Sequence, residues 1–507
     1  MFTNPYNSIS NTTNDNGTIE QATRKEERIE KDDAKTELEP AKRTLPKDGT
    51  MKVETIKEEK EEEKPASACS DRYIYIHKIP REFNEELTEK CWLLNKWMNM
   101  CQYMDNMGLG QRLPGDRAFS KRGWFSTHQF SLEVIFHNRM KQYECLTDDS
   151  SKASAIFVPY YAGLDVARYL WGGYNASTRD SGSLELYKWL RDQPEWKAMS
   201  GSDHFLVAGR ITWDFRRGVD EDSAWGNKLM ILPESQNITM LTIESSPWNM
   251  NDFAIPYPTY FHPSKDADVY QWQNRMRKLK RRFLFSFAGA PRPNMDGSIR
   301  GEIMRQCTTS RRRCLLLECT NSGNRNKCLK PNYLMRMFES SEFCLQPPGD
   351  SFTRRSTFDS IISGCIPVFF HPASAYVQYL WHLPRNFNKY SVLISEEDVR
   401  DKKVTIEEEL MKIPRSRVVA MREEVIKLIP KVIYADPRSR LERIEDAFDL
   451  TVKGVLNRVE RARREMRGGR NSSEKIDEEM SWKYNFYGSL QNNEWDHYFV
   501  RTNNYRY

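Results

Sequence analysis

No stretch of about 18 apolar residues occurs in the 507-residue chain, and its start, Met1-Phe-Thr-Asn-Pro, lacks the basic-then-apolar pattern of a signal segment. The sequence as it stands therefore carries neither anchor nor leader. It reads either as cytosolic or as short of the beginning that would have sent it elsewhere. Zinc-type Cys-x2-Cys pairs are missing as well. The ten cysteines, Cys69, Cys91, Cys101, Cys145, Cys307, Cys314, Cys319, Cys328, Cys344 and Cys365, form an even set that reads as disulfides without revealing the partners. Aromatics are nearly absent from residues 7–70, a segment rich in Glu, Lys, Asn, Thr and Pro. Such a composition cannot bury enough apolar surface to fold and is expected to be a disordered stem over 1–70. No internal repeat is visible.

The rest of the chain is aromatic-rich, with 13 Trp and 23 Tyr overall, as in a packed protein with adhesive clefts. Its charge is uneven. Residues 1–70 hold 12 Lys/Arg against 16 Asp/Glu, a balance of −4, so a net +6 for the whole chain leaves +10 for the remainder. That excess suits anionic ligands and is too dilute to indicate nucleic acid. The densest basic run, Arg275-Met-Arg-Lys-Leu-Lys-Arg-Arg282, reads as a solvated helix face leading into a strand. Sequons at Asn11, Asn16, Asn175, Asn237 and Asn471 agree with the oxidising environment that disulfides imply.

Length alone predicts two domains. The first α/β domain is expected over 71–262, with strands at Arg72–His77, Ala155–Pro159, His204–Ala208 and Lys228–Leu232 and helices around 164–171 and 183–193. The second is expected over 263–435, with strands at Phe283–Ala288 and Glu342–Gln346, a helix over Ser298–Cys307, and an extended segment at Tyr390–Ile394. A helical pattern follows Pro414, and a long helix is expected over 437–466, in a closing segment of 436–507. Two α/β halves imply a cleft between them, where ligands of open sheets bind.

The segment from Cys344 to Phe370 carries the strongest local signal. Gly349 tolerates unusual backbone angles, Asp350 or Ser351 can cap a helix starting near Phe352, and Phe358, Ile361, Ile362 and Cys365 fall at helical spacing, while Gly364 ends the helix. Ile366 to Phe370 then reads as a buried strand. A helix start beside Arg354 and Arg355 offers unpaired N–H groups and forked donors to a diphosphate. The plainer alternative is that Arg355 and Asp359, four apart, form a helix ion pair.

Six ordered stretches resemble the exostosin-type glycosyltransferases of family 47, in particular the plant xyloglucan galactosyltransferases. They are Tyr73–Asn84, Val158–Asp165, Gly201–Arg217, Phe285–Pro293, Ser298–Gly301 and the segment Cys344–Phe370. The resemblance covers roughly residues 72–465 and implies a GT-B fold of two Rossmann-like domains, a UDP-sugar donor held by the second, and inverting transfer without an essential metal or other cofactor. It also implies a type II Golgi membrane protein, with a polysaccharide acceptor, xyloglucan, no nucleic acid, and a possible place in a glycosyltransferase complex or homodimer. In this reading Arg292, Arg300, Gly349, Asp350, Ser351, Arg354 and Arg355 cradle the diphosphate, and Asp359 accepts from a ribose hydroxyl. An inverting transfer also needs a base for the acceptor hydroxyl. Asp165, Asp203 and His204 are the candidates, with Asp165 and His204 not separated, and Asp214 reads as a structural ion pair. Trp171, Trp213 and Trp248 are possible stacking platforms. The Asp-x-Asp tripeptides Asp220–Asp222 and Asp266–Asp268 lie in polar loops and read as solvated charge rather than metal ligands. Galactose and galacturonic acid remain open as the transferred sugar, as does a non-catalytic carbohydrate-binding role.

Overall fold

A computed structural model describes residues 69–467, apart from 71, 117, 121 and 321–324, together with 496–499. The expected stem up to residue 68 and most of the tail, including Asn11, Asn16 and Asn471, lie outside the described residues, while Cys69, placed in the stem by the sequence, is tied to the first half by a disulfide.

The fold consists of two five-stranded parallel sheets with helices. The first contains β1 (Tyr73–Ile76), β2 (Ala153–Phe157), β3 (His204–Val207), β4 (Thr239–Thr242) and β5 (Asp252–Ala254), in that spatial order. The second contains β6 (Phe283–Gly289), β7 (Cys314–Glu318), β8 (Ser341–Gln346), β9 (Ile366–Phe369) and β10 (Val392–Leu393), ordered β7-β6-β8-β9-β10. Parallel sheets are covered on both faces, so their strands are apolar throughout rather than alternating. Every residue of β3, β4 and β9 is accordingly buried.

The sheets differ in winding. The first runs in chain order without reversal, whereas the second reverses between β6 and β8. That reversal is a topological switch point, where the loops leaving neighbouring strands diverge and open a crevice at their carboxyl ends.

The expected strand Lys228–Leu232 is a turn. Asp180 accepts from the Lys228 amide (3.0 Å) and Asn227 from that of Leu229 (3.1 Å), and these short acceptors bend the chain while Leu229 and Met230 enter the core. The strands that complete the sheet are β4 and β5, four and three residues long, too short to show a period in sequence. The last long helix spans Ala447–Arg467, not 437–466, because Asp446 Oδ1 accepts from the amides of Phe448 (2.9 Å) and Asp449 (3.1 Å) and caps it there. Its apolar side (Phe448, Val452, Val455, Leu456, Val459) is buried. Arg463 donates to the Ala153 carbonyl at the start of β2 (2.9 Å), so a segment late in the chain closes the early sheet.

All ten cysteines are paired: Cys69–Cys145, Cys91–Cys101, Cys307–Cys314, Cys319–Cys328 and Cys344–Cys365. The last ties β8 to the residue before β9, bracketing the motif singled out in the sequence. No helix among the described residues is long and apolar enough to cross a membrane.

The basic run is largely the solvated face expected, with Arg277, Lys278, Lys280 and Arg282 exposed and Arg277 paired with Glu423. Two of its cations act within the fold: Arg275 meets Glu339, and Arg281 donates to the carbonyls of Phe338, Ser341 and Ser363.

Candidate active site

At the switch point, β6 ends in the Gly289 loop, which carries Arg292 and leads into the helix Arg300–Thr309. β8 ends in Pro347-Pro348-Gly349-Asp350, ahead of the helix Arg355–Ile362. Three guanidiniums converge here. Arg300 Nε donates to the Pro348 carbonyl (2.9 Å), and Arg354 donates to the carbonyls of Pro347 (3.3 Å) and Ala288 (3.0 Å). Arg292 donates to Asp350 (2.9 Å), while its buried Nε has no partner among the described residues. Burial, and then repulsion from Arg292, push Arg300 down to about 10. Burial, reinforced by Arg300 and Arg292, holds Arg354 well below the ordinary arginine value. Asp350, whose side chain is 61% exposed, is the carboxylate that offsets this charge. Three crowded cations with so little compensation form a cradle pre-organised for a polyanion.

Gly349 serves this cradle for a different reason from the one expected. Its backbone is not left-handed, but a Cβ there would collide with an Arg300 terminal nitrogen. The glycine allows the close approach of that guanidinium. The helix begins at Arg355 rather than near Phe352, with neither Asp350 nor Ser351 capping it. The intervening residues are held elsewhere: the Thr353 amide (2.7 Å) and hydroxyl (2.6 Å) donate to Glu244, at the carboxyl end of β4. Ser351 and Trp213 (2.8 Å) donate to the same carboxylate. Burial pushes Glu244 up, but four donors oppose that shift, and the side chain pins the donor loop to the first half. Sequence reasoning missed Glu244, since nothing in Thr-Ile-Glu-Ser-Ser points to a partner 109 residues away.

The two adjacent arginines part company. Arg354 faces the switch point. Arg355 turns to the first half, donating to the Thr127 carbonyl (2.5 Å) and lying 3.7 Å over the Tyr260 ring. It also pairs with Asp359 (3.4 Å), as in the plainer reading, and burial pushes that carboxyl up to about 6. Arg355 and Asp359 are therefore not brought together with the other phosphate candidates.

In the first half the base candidates are separated too. Asp165 lies in the helix Ala162–Ala167 just beyond β2, accepts from Tyr160 (2.7 Å), pairs with Arg168, and lines a cavity of about 240 Å³. Asp203 and His204 open β3 and bond each other (2.7 Å). The His204 ring is 0% exposed, in contact with Trp196 and with His77 (3.1 Å). Asp203 also meets Arg463 of the closing helix (3.6 Å). A second missed carboxyl, Glu133, accepts from the amides of Gly163 (2.5 Å) and Leu164 (3.1 Å), and burial pushes it up to about 8. Asp214 pairs with Arg210 (2.5 Å) and accepts from Trp225 (2.6 Å).

The Asp-x-Asp residues all have partners within the protein, and Asp266 and Asp268 stand in the first turn of the helix Asp266–Lys278 rather than in a loop. Asp222 accepts from the Ala176 amide, Asp220 pairs with Lys228, and Asp266 accepts from the amides of Glu442 and Arg443. Asp268 accepts from Ser264.

Two helix-covered parallel sheets, with a cationic cradle at the switch point of the second, are the α/β plan on which a nucleotide-sugar-dependent glycosyltransferase is expected to bind its donor. The chain belongs to the exostosin GT47 family, whose domain matches residues 68–410. It is 58% identical over 417 residues to the xyloglucan galactosyltransferase MUR3 of Arabidopsis thaliana, covering 82% of this chain and 67% of that protein. A probable xyloglucan galactosyltransferase, GT12, of the same plant is 51% identical, with 81% of each chain covered. Xyloglucan-specific galacturonosyltransferase 1, also from Arabidopsis, is 42% identical over 78% of this chain and 58% of its own length.

Proposed function

We propose that this enzyme transfers galactose from UDP-galactose to xylosyl side chains of xyloglucan, with inversion at the anomeric carbon. The observation that carries the reading is the cradle of Arg292, Arg300 and Arg354 at the switch point. A diphosphate placed there completes the charge balance, and the same donors stabilise UDP as the glycosidic bond to the sugar breaks. The arginines supply the positive charge that a metal ion would otherwise bring, so transfer is expected to proceed without an essential metal. The acceptor hydroxyl loses its proton to a group of the first half. Asp165 is the candidate that lines a cavity, while His204 is enclosed. By likeness to its relatives, the protein works in the Golgi as a type II membrane enzyme, alone, as a homodimer or within a glycosyltransferase complex.

A second reading, transfer of galacturonic acid, is favoured by one observation. A terminal nitrogen of Arg355 is buried without a hydrogen-bond partner among the described residues, and a sugar carboxylate would supply one. The test incubates the purified chain with galactose-free xyloglucan and either UDP-galactose or UDP-galacturonic acid, then identifies the product linkage. Galactosylation of xylose is expected. Turnover with the uronic donor alone would replace the first reading by the second, and absence of both transfer and UDP binding would refute both.

A further inference from the structure

We propose that the disulfide-closed loop Cys91–Cys101, with the tryptophans beside it, forms a binding surface for the glucan chain of the acceptor, adjoining the Asp165 cavity. The class of acceptor rests on the reading above.

The loop is short and tied at both ends. It presents Trp92 at 57% exposure and Trp97 at 51%. Trp97 is the outer member of a row, its ring 4.9 Å from that of Trp171, which lies 4.8 Å from that of Trp225. The Trp225 indole N–H donates to Asp214 (2.6 Å), fixing the inner end. Large exposed aromatics grouped beside a cavity mark a contact surface rather than a misplaced core.

The chemistry of the cavity selects the ligand. Its wall combines Phe83 and Leu87 with the carboxylates of Glu82, Glu86, Asp165 and Glu185. Its two cations are already engaged, Lys90 with Glu86 (2.7 Å) and Arg168 with Asp165. Four carboxylates against two cations repel an anion and therefore a nucleotide. A neutral ligand with apolar ring faces and many hydroxyls fits: its C–H faces stack on indoles and its hydroxyls donate to carboxylates. A β-linked glucan meets each of these requirements. The two ligands are thus sorted by charge, the dianion to the second sheet and the neutral polymer to the first.

The test compares Trp97→Ala, Trp97→Phe and a distant control, Tyr270→Ala, whose side chain is also exposed on the helix Asp266–Lys278. Trp97→Ala is expected to raise KM for polymeric xyloglucan about tenfold, the loss of one good aromatic contact. KM for UDP-galactose should stay unchanged, Trp97→Phe should recover most of the loss, and Tyr270→Ala should match the parent. Affinity electrophoresis in gels containing galactose-free xyloglucan, without donor, reads binding alone and so remains informative even if the proposed transfer fails. Unaltered retention and KM in Trp97→Ala would overturn the proposal, as would an equal loss in Tyr270→Ala. The same holds if the parent is a dimer that Trp97→Ala converts to monomer while polymer affinity is unchanged, since the loop would then be a subunit contact.

Discussion

At the carboxyl end of β8, three arginines crowd together, two of them donating to backbone carbonyls, with one exposed aspartate to offset them. Beyond β2 and at the start of β3, in contrast, each charged candidate already has its partners: Asp165 has Tyr160 and Arg168, and Asp203 has His204 and Arg463. The two halves share one parallel-sheet plan and differ in whether the charge of their candidate site residues is compensated. A half that binds a diphosphate gains from an uncompensated cationic cluster, because the ligand supplies the missing charge. A half that receives a neutral sugar gains no counterion from it: its base candidates are paired within the protein, and the excess carboxylates of its cavity turn anions away.

This contrast is most directly broken by removing the cluster. Arg300→Ala and Arg354→Ala are each expected to lower kcat about 10²–10³-fold, equivalent to ~3–4 kcal/mol of transition-state stabilisation. Wild-type turnover with UDP-galactose in either variant would end the assignment of that residue. A smaller change tests geometry rather than charge. In Gly349→Ala the new methyl displaces Arg300, and a loss of about tenfold in kcat/KM for the donor is expected, from misplacement of one oriented cation. Donor kinetics matching the parent would show that Arg300 has room to move.

Acid acts on both halves, through two opposed sets of buried groups. Burial, the leading cause in each case, pushes His77 down to about 4, His137 to about 3, and His262 and His382 to about 4. The unfolded chain binds protons on these rings below about pH 6.5 that the folded chain refuses, so they take stability away as the pH falls towards 4. Burial also pushes Glu133 up to about 8, Glu339 and Glu396 to about 7 and Asp359 to about 6, and these carboxyls bind protons in the folded chain first, which adds stability over the same range. The two sets offset each other, so the melting temperature is expected to change little between pH 7 and pH 5. A steep fall over this range would contradict the buried carboxyls, and a steep rise the buried histidines. The smallest effect is expected for Asp350→Asn. Its partner lies across an exposed pair worth ~0–1 kcal/mol, so donor KM should shift by less than about threefold. A loss as large as that of Arg300→Ala would mean that Asp350, not the cluster, organises the loop.

Much of this was legible in the sequence, and what was not has physical causes. The strands β2, β3, β6, β8 and β9 were readable because buried parallel strands are apolar runs, and β1 because Tyr and Ile alternate along it. Gly364, the end of the motif helix, was readable because a left-handed residue (φ +61°) favours glycine. The strand expected at 228–232 failed because the same apolar residues can be buried by a turn. The clustering of Arg292, Arg300 and Arg354 was expected from three neighbouring motif positions on converging loops. The divergence of Arg354 from Arg355 was not, because adjacent residues at a helix start point in directions that only the backbone path defines. Glu133 and Glu244 left no trace, since each acts on amides distant in sequence.

By itself, the sequence pointed to the family, the two α/β halves, the disulfide class of its cysteines and the loop proposed to meet the diphosphate. These depend on local pattern: apolar runs, turn glycines and arginines at fixed offsets. Only the tertiary structure decided which cations share a crevice, which base candidate lines a cavity, that the Arg300 guanidinium crowds position 349, and that a helix late in the chain closes the first sheet. Those outcomes depend on approach between residues tens to hundreds of positions apart, and such approach is set by packing rather than by any local preference of the chain.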